Sequence, residues 1–252
     1  MNIFLDSAIT TDIEDRLPTG IIGGVTTNPT LIKKSNEDPD VVYKELWKLG
    51  VENLSIEVLG NTQEELVANG IMYNQQFAEM ATIKLPCTVE GIKACRELSI
   101  LNIKTNMTLV FSVSQAILCA LAGATYVSPF VGRLDQIGED GIQLIRDISR
   151  IYCVEGIKTQ ILAASIRSPK QAEDAYKAGA HICTLPVKVF DLMYRHHLTD
   201  EGLKQFALDF GINFCSLFAK GTGTNYPLGG VQVLSRDNIS CVSPVIAADL
   251  EG

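Results

Sequence analysis

Short runs of apolar and β-branched residues recur eight times along this 252-residue chain, and stretches with helical periodicity separate most of them. This alternation predicts parallel strands joined by right-handed helical crossovers. About eight such units favour a closed (β/α)₈ barrel of the α/β class over an open doubly wound sheet. The predicted strands are residues 2–6, 20–27, 54–59, 81–86, 103–109, 125–131, 159–165 and 181–186, and the predicted helices are roughly 38–49, 62–79, 88–98, 112–122, 137–152 and 169–178.

Two further patterns support this interpretation. No glycine-rich phosphate-binding motif of the GxGxxG or GxxxxGK[ST] type follows a predicted strand, which disfavours a nucleotide-binding open sheet. Several predicted helices also begin at a residue that commonly caps a helix N-terminus or end at a glycine. These start signals are Thr62, Ser112 and Ser168, and the glycines are Gly50, Gly123 and Gly179.

Composition restricts the class of partner. The formal net charge is −8, which disfavours binding to nucleic acid or an anionic membrane, because both require a broad basic surface. No run of apolar residues is long enough to span a bilayer, and the first residues do not have the pattern of a signal peptide. Seven cysteines without a CxxC motif, and only three histidines, predict free thiols and no zinc site. We therefore expect a soluble, cytoplasmic protein without a metal.

The C-terminal part differs in composition from the rest. We predict a catalytic barrel domain over residues 1–218 that includes a C-terminal helix, followed by an irregular tail of unknown role over 219–252. The helix is predicted within 203–221, interrupted at Gly211. Its apolar side would be an exposed patch on a monomer, which favours a homo-oligomer. The residues of that side are Phe206, Phe210, Phe214, Leu217 and Phe218.

Polar residues collect at the ends of successive predicted strands, where barrel enzymes carry their chemistry. Because side chains alternate along a strand, the members of each pair such as Ser55 and Glu57 share a face. If that face points inward, one pocket holds a lysine, two carboxylates, two asparagines and several hydroxyls. The strand-end residues are Asp6, Thr26, Thr27, Asn28, Glu57, Lys84, Asn106, Thr108, Ser128, Arg133, Ser165 and Arg167.

The lysine and the arginines indicate the type of chemistry. Lys84 lies inside an apolar strand, where loss of water favours a neutral amine that can form a Schiff base with a carbonyl compound. An ion pair between Lys84 and Glu57 is the structural alternative. Arg133 and Arg167 follow later strands, where barrels often bind phosphate, although either could instead pair with an acid such as Asp135.

With these residues in place, the sequence resembles the transaldolase family, most closely its small single-barrel members, which are similar to fructose-6-phosphate aldolases. The resemblance runs from residue 1 to about 210. The residues that carry it are FLDSA around Asp6, GVTTNPTLI (24–32), SIEV around Glu57, IKLPCTVEGI around Lys84, the block 105–135 with SPFVGR, and ILAASIRSP (161–169).

The resemblance implies a (β/α)₈ enzyme that needs no cofactor and acts on sugar phosphates, in the pentose phosphate pathway. It implies that Lys84 is the Schiff-base lysine and that Asp6 takes the proton of the C4 hydroxyl. Glu57 and Thr108 would hold a proton-relaying water. The implied substrate contacts are Asn28, Asn106 and Ser128 on the hydroxyls of the three-carbon unit, and Arg133, Ser165 and Arg167 around the phosphate. Thr27 and Phe130 are expected as further substrate-binding residues.

Residues at two sequence positions distinguish the transaldolases of this family from its small aldolases. The small aldolases typically have glutamine at the position of Glu57 and tyrosine at that of Phe130, so this chain resembles the transaldolases at both. Phenylalanine has no hydroxyl with which to help protonate an enamine intermediate. Transaldolase activity is therefore expected, with fructose-6-phosphate aldolase as the alternative and a non-catalytic barrel scaffold as a more remote one. The resemblance also makes a ring-shaped homo-oligomer possible.

Overall fold

The eight strands pair in parallel in chain order, and the first strand pairs with the last, so the sheet closes into a barrel. The computed structural model describes residues 1–211. Every predicted strand is present, and the (β/α)₈ fold is confirmed. The strands are β1 (Asn2–Asp6), β2 (Ile22–Thr26), β3 (Leu54–Glu57), β4 (Ala81–Pro86), β5 (Thr105–Val110), β6 (Tyr126–Pro129), β7 (Gln160–Ala163) and β8 (Ile182–Leu185).

Helices follow every strand of the barrel. The six predicted helical stretches correspond to α3, α4, α5, α6, α8 and α9 below. The four helices that the sequence pattern missed have only five to seven residues, too few for an amphipathic repeat to show. The helices are α1 (Thr10–Glu14), α2 (Pro29–Ser35), α3 (Pro39–Lys48), α4 (Gln63–Phe77), α5 (Val89–Ile100), α6 (Val113–Leu121), α7 (Val131–Gln136), α8 (Gly141–Val154), α9 (Pro169–Lys177) and α10 (Val187–Leu192), with short 3₁₀ turns at Leu17–Thr19 and Ala78–Met80.

Local signals in the sequence set the ends of the longer helices. Thr62, Ser112 and Ser168 each accept a hydrogen bond from the backbone N–H three residues later, which satisfies a group that the first helical turn leaves free. The predicted C-terminal glycines have left-handed backbone angles, with φ of 79° at Gly50, 87° at Gly123 and 103° at Gly179.

The period-two alternation of the strands separates two environments. Outward-facing residues such as Leu5, Ile83 and Leu85 are fully buried in the apolar layer between the sheet and its helices. Inside the barrel, Phe4, Leu162 and Ile182 form a small separate apolar cluster. The rest of the interior is largely polar. Its polar side chains therefore lie next to this small apolar cluster inside the barrel.

An ion pair joins the first and last βα units. The guanidinium of Arg16, which follows α1, makes two hydrogen bonds to the carboxylate of Asp191 in α10, with Nε–Oδ1 at 3.0 Å and Nη2–Oδ2 at 2.8 Å. The arginine side chain is only 11% exposed. A partly buried bidentate pair of this kind is directional, and it fixes these two units against each other where the ring closes.

The chain divides into two compact units, of which the barrel unit is Met1–Met193 and the second begins at Tyr194. In the second unit, α11 (His197–Asp209) contains Phe206, and Gly211 after it has a left-handed backbone with φ 67°. No helix among the described residues is long and apolar enough to cross a membrane. The domain limits at 218 and 219, and the tail 219–252, stay predictions. The tail and three residues of the predicted apolar side lie outside the described residues: Phe214, Leu217 and Phe218.

A substitution at Gly91 tests how closely α5 packs on the end of β4. A Cβ at Gly91 would lie 1.9 Å from the backbone oxygen of Pro86, at the end of β4. We expect Gly91→Ala to lower the free energy of unfolding, measured with urea, by about 1–3 kcal/mol, even though alanine is the better helix former. Gly202→Ala is the control, because no heavy atom lies within 4 Å of its added methyl group. Wild-type stability in Gly91→Ala would contradict the packing described here.

Candidate active site

The ends of all eight strands line one cavity of about 520 Å³ at the C-terminal side of the barrel. The structure brings eleven of the twelve predicted site residues together there. They are Asp6, Asn28, Glu57, Lys84, Asn106, Thr108, Ser128, Phe130, Arg133, Ser165 and Arg167.

Lys84 is buried at the side of this cavity, with 5% of its surface exposed. Its Nζ lies 3.0 Å from Glu57 Oε2 and 3.0 Å from the backbone oxygen of Thr27. Glu57 and Lys84 are direct neighbours in the β3–β4 register, so the barrel itself sets this pairing. The ion pair that the sequence left open as an alternative is present, and it places a carboxylate within proton-transfer distance of the amine.

Thr27 lies differently from the other predicted residues. Its hydroxyl donates to the backbone oxygen of Ser55 at 2.9 Å, and its side chain is fully buried outside the cavity lining. The reason is alternation, since Thr26 at the end of β2 faces inward and the next side chain faces outward. The geometry therefore does not support the predicted substrate contact of Thr27, and its carbonyl is instead a partner of Lys84.

Asp6 ends β1, and its carboxylate is joined to two threonine hydroxyl groups. Thr26 Oγ1 donates to Asp6 Oδ1 at 2.7 Å, and Thr26 Oγ1 lies 2.6 Å from Thr184 Oγ1. Burial raises the pKa of Asp6, and this effect outweighs the opposing effects of the Thr26 hydrogen bond and the positive charge of Lys84. The carboxyl group is thus closer to exchanging its proton near neutral pH than an ordinary aspartate.

Asn106 is held in one orientation by two buried neighbours. Its Nδ2 donates to Ser55 Oγ at 3.1 Å, and Ser128 Oγ donates to its Oδ1 at 2.6 Å. Thr108, two residues along β5, has the opposite character. Its hydroxyl is the one buried side-chain polar atom of the described residues that has no hydrogen-bond partner in the protein. Such a group favours a ligand or a bound water.

Two cavity residues have a backbone that non-glycine residues rarely adopt. Leu109 has φ 58° and Ser165 has φ 60°. The β5–β6 pairing shifts register between Met107 and Val110, and this irregularity lets the consecutive residues Thr108 and Leu109 both line the cavity. Left-handed angles of this kind cost about 1–3 kcal/mol and often occur at functional sites.

The two arginines lie at the exposed edge of the cavity, and neither forms an ion pair with a carboxylate within residues 1–211. Asp135, the acid that could have neutralised them, accepts hydrogen bonds from Gly141 N at 3.1 Å and from Gln171 Nε2. Arg133 and Arg167 therefore keep their donors available for an anion.

Close packing positions both arginines. A Cβ at Gly132 would lie 2.1 Å from the Ser165 backbone oxygen and 2.8 Å from Arg167 Nε, so only glycine lets Arg167 lie across α7. The guanidinium carbon of Arg133 lies 5.0 Å from the ring centroid of Phe130, within the range of a cation–π contact.

Some polar cavity residues were missed or given no role by the sequence interpretation, among them Lys34, Thr184 and Thr26. Lys34 belongs to the unpredicted helix α2, and Thr184 lies one residue before the end of β8, a strand for which no polar residue was proposed. Thr26 was noticed at the end of β2, but its bond to Asp6 depends on the barrel register. The alternation of β8 could have indicated Thr184. With Lys34 included, four cationic side chains face two carboxylates, so the cavity favours anions in an acidic chain.

No group of three or more histidine, cysteine, aspartate or glutamate side chains within the described part of the chain is arranged to hold a metal ion. The cavity chemistry available from the protein is thus that of an amine, two carboxyl groups, amides, hydroxyls and guanidinium groups.

The chain matches known proteins over most of its length. The model of the transaldolase/fructose-6-phosphate aldolase family matches residues 3–220. The chain belongs to this family. A probable transaldolase of Symbiobacterium thermophilum is 47% identical over 210 residues, which cover 83% of this chain and 97% of the relative. Probable transaldolases of Moorella thermoacetica and Lactiplantibacillus plantarum are 48% and 46% identical over the same length, with 83% of this chain and 97% and 96% of the relatives covered.

The family assignment confirms the resemblance that the sequence motifs indicated, and the chain is an enzyme of the transaldolase type. The family description includes both a transferase and an aldolase. The choice between them depends on the site.

The raised pKa of Asp6 has a consequence for stability. A carboxyl group whose pKa is higher in the folded than in the unfolded state destabilises the fold once the pH rises above its unfolded value, near 3.8. We therefore expect Asp6→Asn, which can still accept the Thr26 hydrogen bond, to raise the free energy of unfolding. The gain over wild type should be larger at about pH 7 than at about pH 4. Urea unfolding at both values checks this, and a gain that shrinks as the pH rises would contradict it.

Proposed function

We propose that this enzyme is a transaldolase that moves a dihydroxyacetone unit from a ketose phosphate to an aldose phosphate through a Schiff base on Lys84. The donor would be sedoheptulose 7-phosphate or fructose 6-phosphate, and the acceptor glyceraldehyde 3-phosphate or erythrose 4-phosphate. The observation that carries the proposal is a buried amine with a carboxylate at 3.0 Å, in a cavity with a second carboxyl group and two arginines that have no carboxylate partner among the described residues.

In the first step, Lys84 Nζ attacks the ketone carbon of the donor. A nitrogen–carbon bond forms, the ketone oxygen leaves as water, and the product is an iminium ion. Proton transfers accompany both events, because the amine must be neutral to attack and the departing oxygen must be protonated. Glu57 is near enough to Nζ to exchange these protons. The unpartnered hydroxyl of Thr108 supports its proposed role in holding a relaying water with Glu57.

In the second step, Asp6 takes the proton of the C4 hydroxyl. The C3–C4 bond breaks, its electron pair moves into the iminium ion to form an enamine, and the aldose phosphate leaves. The raised pKa of Asp6 suits this role, since a base that must later return its proton works best when its pKa is near the working pH.

The three-carbon unit would be held by amide and hydroxyl groups. Asn28 uses its Oδ1 to accept the N–H of Leu31, so its Nδ2 is available as a donor. Asn106 and Ser128 hydrogen bond to each other and form a rigid polar wall. Fixed donors and acceptors are what a site needs in order to orient a polyhydroxylated chain.

The phosphate would bind at the edge of the cavity, to Arg133, Arg167 and Ser165. Guanidinium groups make paired hydrogen bonds to phosphate oxygens, and neither arginine is neutralised by a described acid. The excess of cationic groups at the cavity supports an anionic substrate in a chain whose net charge is −8.

Phe130 and Glu57 favour transfer over free release of dihydroxyacetone. The ring of Phe130 lines the cavity but has no hydroxyl with which to protonate the enamine, so the enamine would persist until an aldehyde arrives. The relatives, which have the name probable transaldolase, agree with this choice. A role in the pentose phosphate pathway would follow from these substrates.

The activity assay separates the two family reactions. Sedoheptulose 7-phosphate and glyceraldehyde 3-phosphate are supplied together, and the formation of erythrose 4-phosphate is measured. Its formation identifies a transaldolase. Dihydroxyacetone formed from fructose 6-phosphate without an acceptor would instead identify the aldolase, and no product in either assay would reject both.

The Schiff base can be trapped directly. Treatment with fructose 6-phosphate and borohydride should leave a reduced three-carbon adduct on Lys84, detected by mass spectrometry of peptides. Lys84→Met should give no adduct and no activity, whereas Lys93→Met, on the outer helix α5, should behave as wild type. An adduct on another lysine, or activity in Lys84→Met, would refute the mechanism.

The arginines should act on phosphate recognition. Each charged hydrogen bond is worth about 1.5–3 kcal/mol, so Arg133→Ala and Arg167→Ala should each lower kcat/KM for fructose 6-phosphate by about 10- to 100-fold. The kcat/KM for unphosphorylated fructose should change much less. Arg150→Ala, exposed on α8, serves as control. An equal loss with both donors would place the effect outside phosphate binding.

A further inference from the structure

Two cysteines outside the cavity lie close enough to react with each other. Cys87 directly follows β4, Cys119 belongs to α6, and their sulfur atoms are 3.7 Å apart. Cys119 is fully buried, whereas Cys87 is half-buried and reachable from solvent. Among the cysteines of the described residues, no other two thiols make a direct contact of this kind.

We propose that Cys87 and Cys119 form a reversible oxidation site whose oxidant is a peroxide. Cys87 is oxidised by hydrogen peroxide to a sulfenic acid, and one molecule of water is released. The Cys119 sulfur then attacks the Cys87 sulfur, a second water leaves, and a disulfide bond results. The two thiols together lose two electrons and two protons, and the peroxide gains them. A dithiol reductant such as dithiothreitol reverses the reaction.

The difference in burial assigns the two thiols different roles, since Cys119 is fully buried and Cys87 is only half-buried. The hydrogen bond between the thiols lowers the pKa of Cys87, and the same contact together with burial raises the pKa of Cys119. The thiolate is the form that reacts with peroxide. Cys87 is therefore both the more accessible and the more readily ionised thiol, and Cys119 is the thiol that completes the bond.

The pair is connected to the catalytic part of the barrel through the backbone. The N–H of Cys87 donates to the backbone oxygen of Thr108 at 2.9 Å, and Lys84 lies three residues before Cys87. A disulfide requires the sulfur atoms to approach from 3.7 Å to about 2.05 Å. The end of β4 or helix α6 must move to allow this, and Pro86 is already in close contact with Gly91. Oxidation should therefore displace Lys84 or Thr108 and lower the activity.

Trypsin places the relevant cysteines on separate peptides. Residues 85–93 contain Cys87, residues 94–96 contain Cys95, and residues 105–133 contain Cys119. The native full-length chain is treated with hydrogen peroxide, remaining thiols are blocked, and the digest is analysed without reductant. We expect a cross-linked peptide 85–93 with 105–133 that disappears after dithiothreitol. Its absence, or a cross-link to 94–96 instead, would overturn the proposal.

Cysteine variants distinguish oxidation at the Cys87–Cys119 pair from general oxidation of the protein's thiols. In Cys119→Ala, the sulfenic acid on Cys87 should persist and react with dimedone. In Cys87→Ala, neither the cross-link nor dimedone labelling at this site should form. Cys153→Ala removes an exposed thiol and should leave the cross-link unchanged. Formation of the cross-link does not depend on the proposed reaction, so failure of the transaldolase assay would leave this test valid.

Activity gives the second measurement. Because a displacement of about 1 Å in an active site can cost up to about 100-fold, peroxide should lower the wild-type activity by about 10- to 100-fold, and dithiothreitol should restore it. Cys87→Ala should keep its activity in peroxide. If this variant is inactivated as fast as wild type, the proposed link between the cysteine pair and the catalytic residues is wrong, even where the cross-link forms.

Discussion

Alternation of side chains along eight parallel strands is the constraint on which the rest of the structure depends. Because the strands are parallel, all their C-terminal ends meet at one side of the barrel, and alternation sends every second side chain into its interior. Residues such as Leu5 and Ile83 thereby build the apolar layer beneath the helices, while Asp6 and Lys84, their neighbours along the strands, face the cavity. Core and site are thus two sides of the same strands, and neither can shift register without the other.

The buried ammonium of Lys84 shows what such a site costs the fold. A charge removed from water is tolerated only with close partners, and Glu57 and the Thr27 carbonyl supply them at 3.0 Å. Asp6 contributes a second, partly buried carboxyl group whose raised pKa marks a net loss of solvation. Apolar residues of similar size would stabilise the fold at least as well as these charged groups do. Their presence makes sense as chemistry, in agreement with the family assignment.

Much of the fold and most of the cavity lining were predictable from sequence, because strand alternation and helix caps are local patterns. What escaped prediction depends on tertiary contacts. The irregular pairing of β5 with β6 turns Leu109 into the cavity, and no local signal marks the left-handed angle of Ser165. Thr27, predicted as a substrate contact, does not line the cavity, because only alternate side chains at the end of β2 face inward. Lys34 was missed because its seven-residue helix is too short to show a period.

Asn28 joins the cavity to the helix that follows it. The single oxygen of its side-chain amide caps α2 by accepting the N–H of Leu31, and the nitrogen of the same amide has no hydrogen-bond partner among residues 1–211. The oxygen and the nitrogen belong to one planar amide, so a ligand that displaces the nitrogen also displaces the oxygen that caps α2. Aspartate at this position would keep the cap and even favour the helix dipole, but it would present a second acceptor where a donor now stands. If Asn28 binds the sugar as proposed, helix stability and substrate recognition therefore favour different residues at this position.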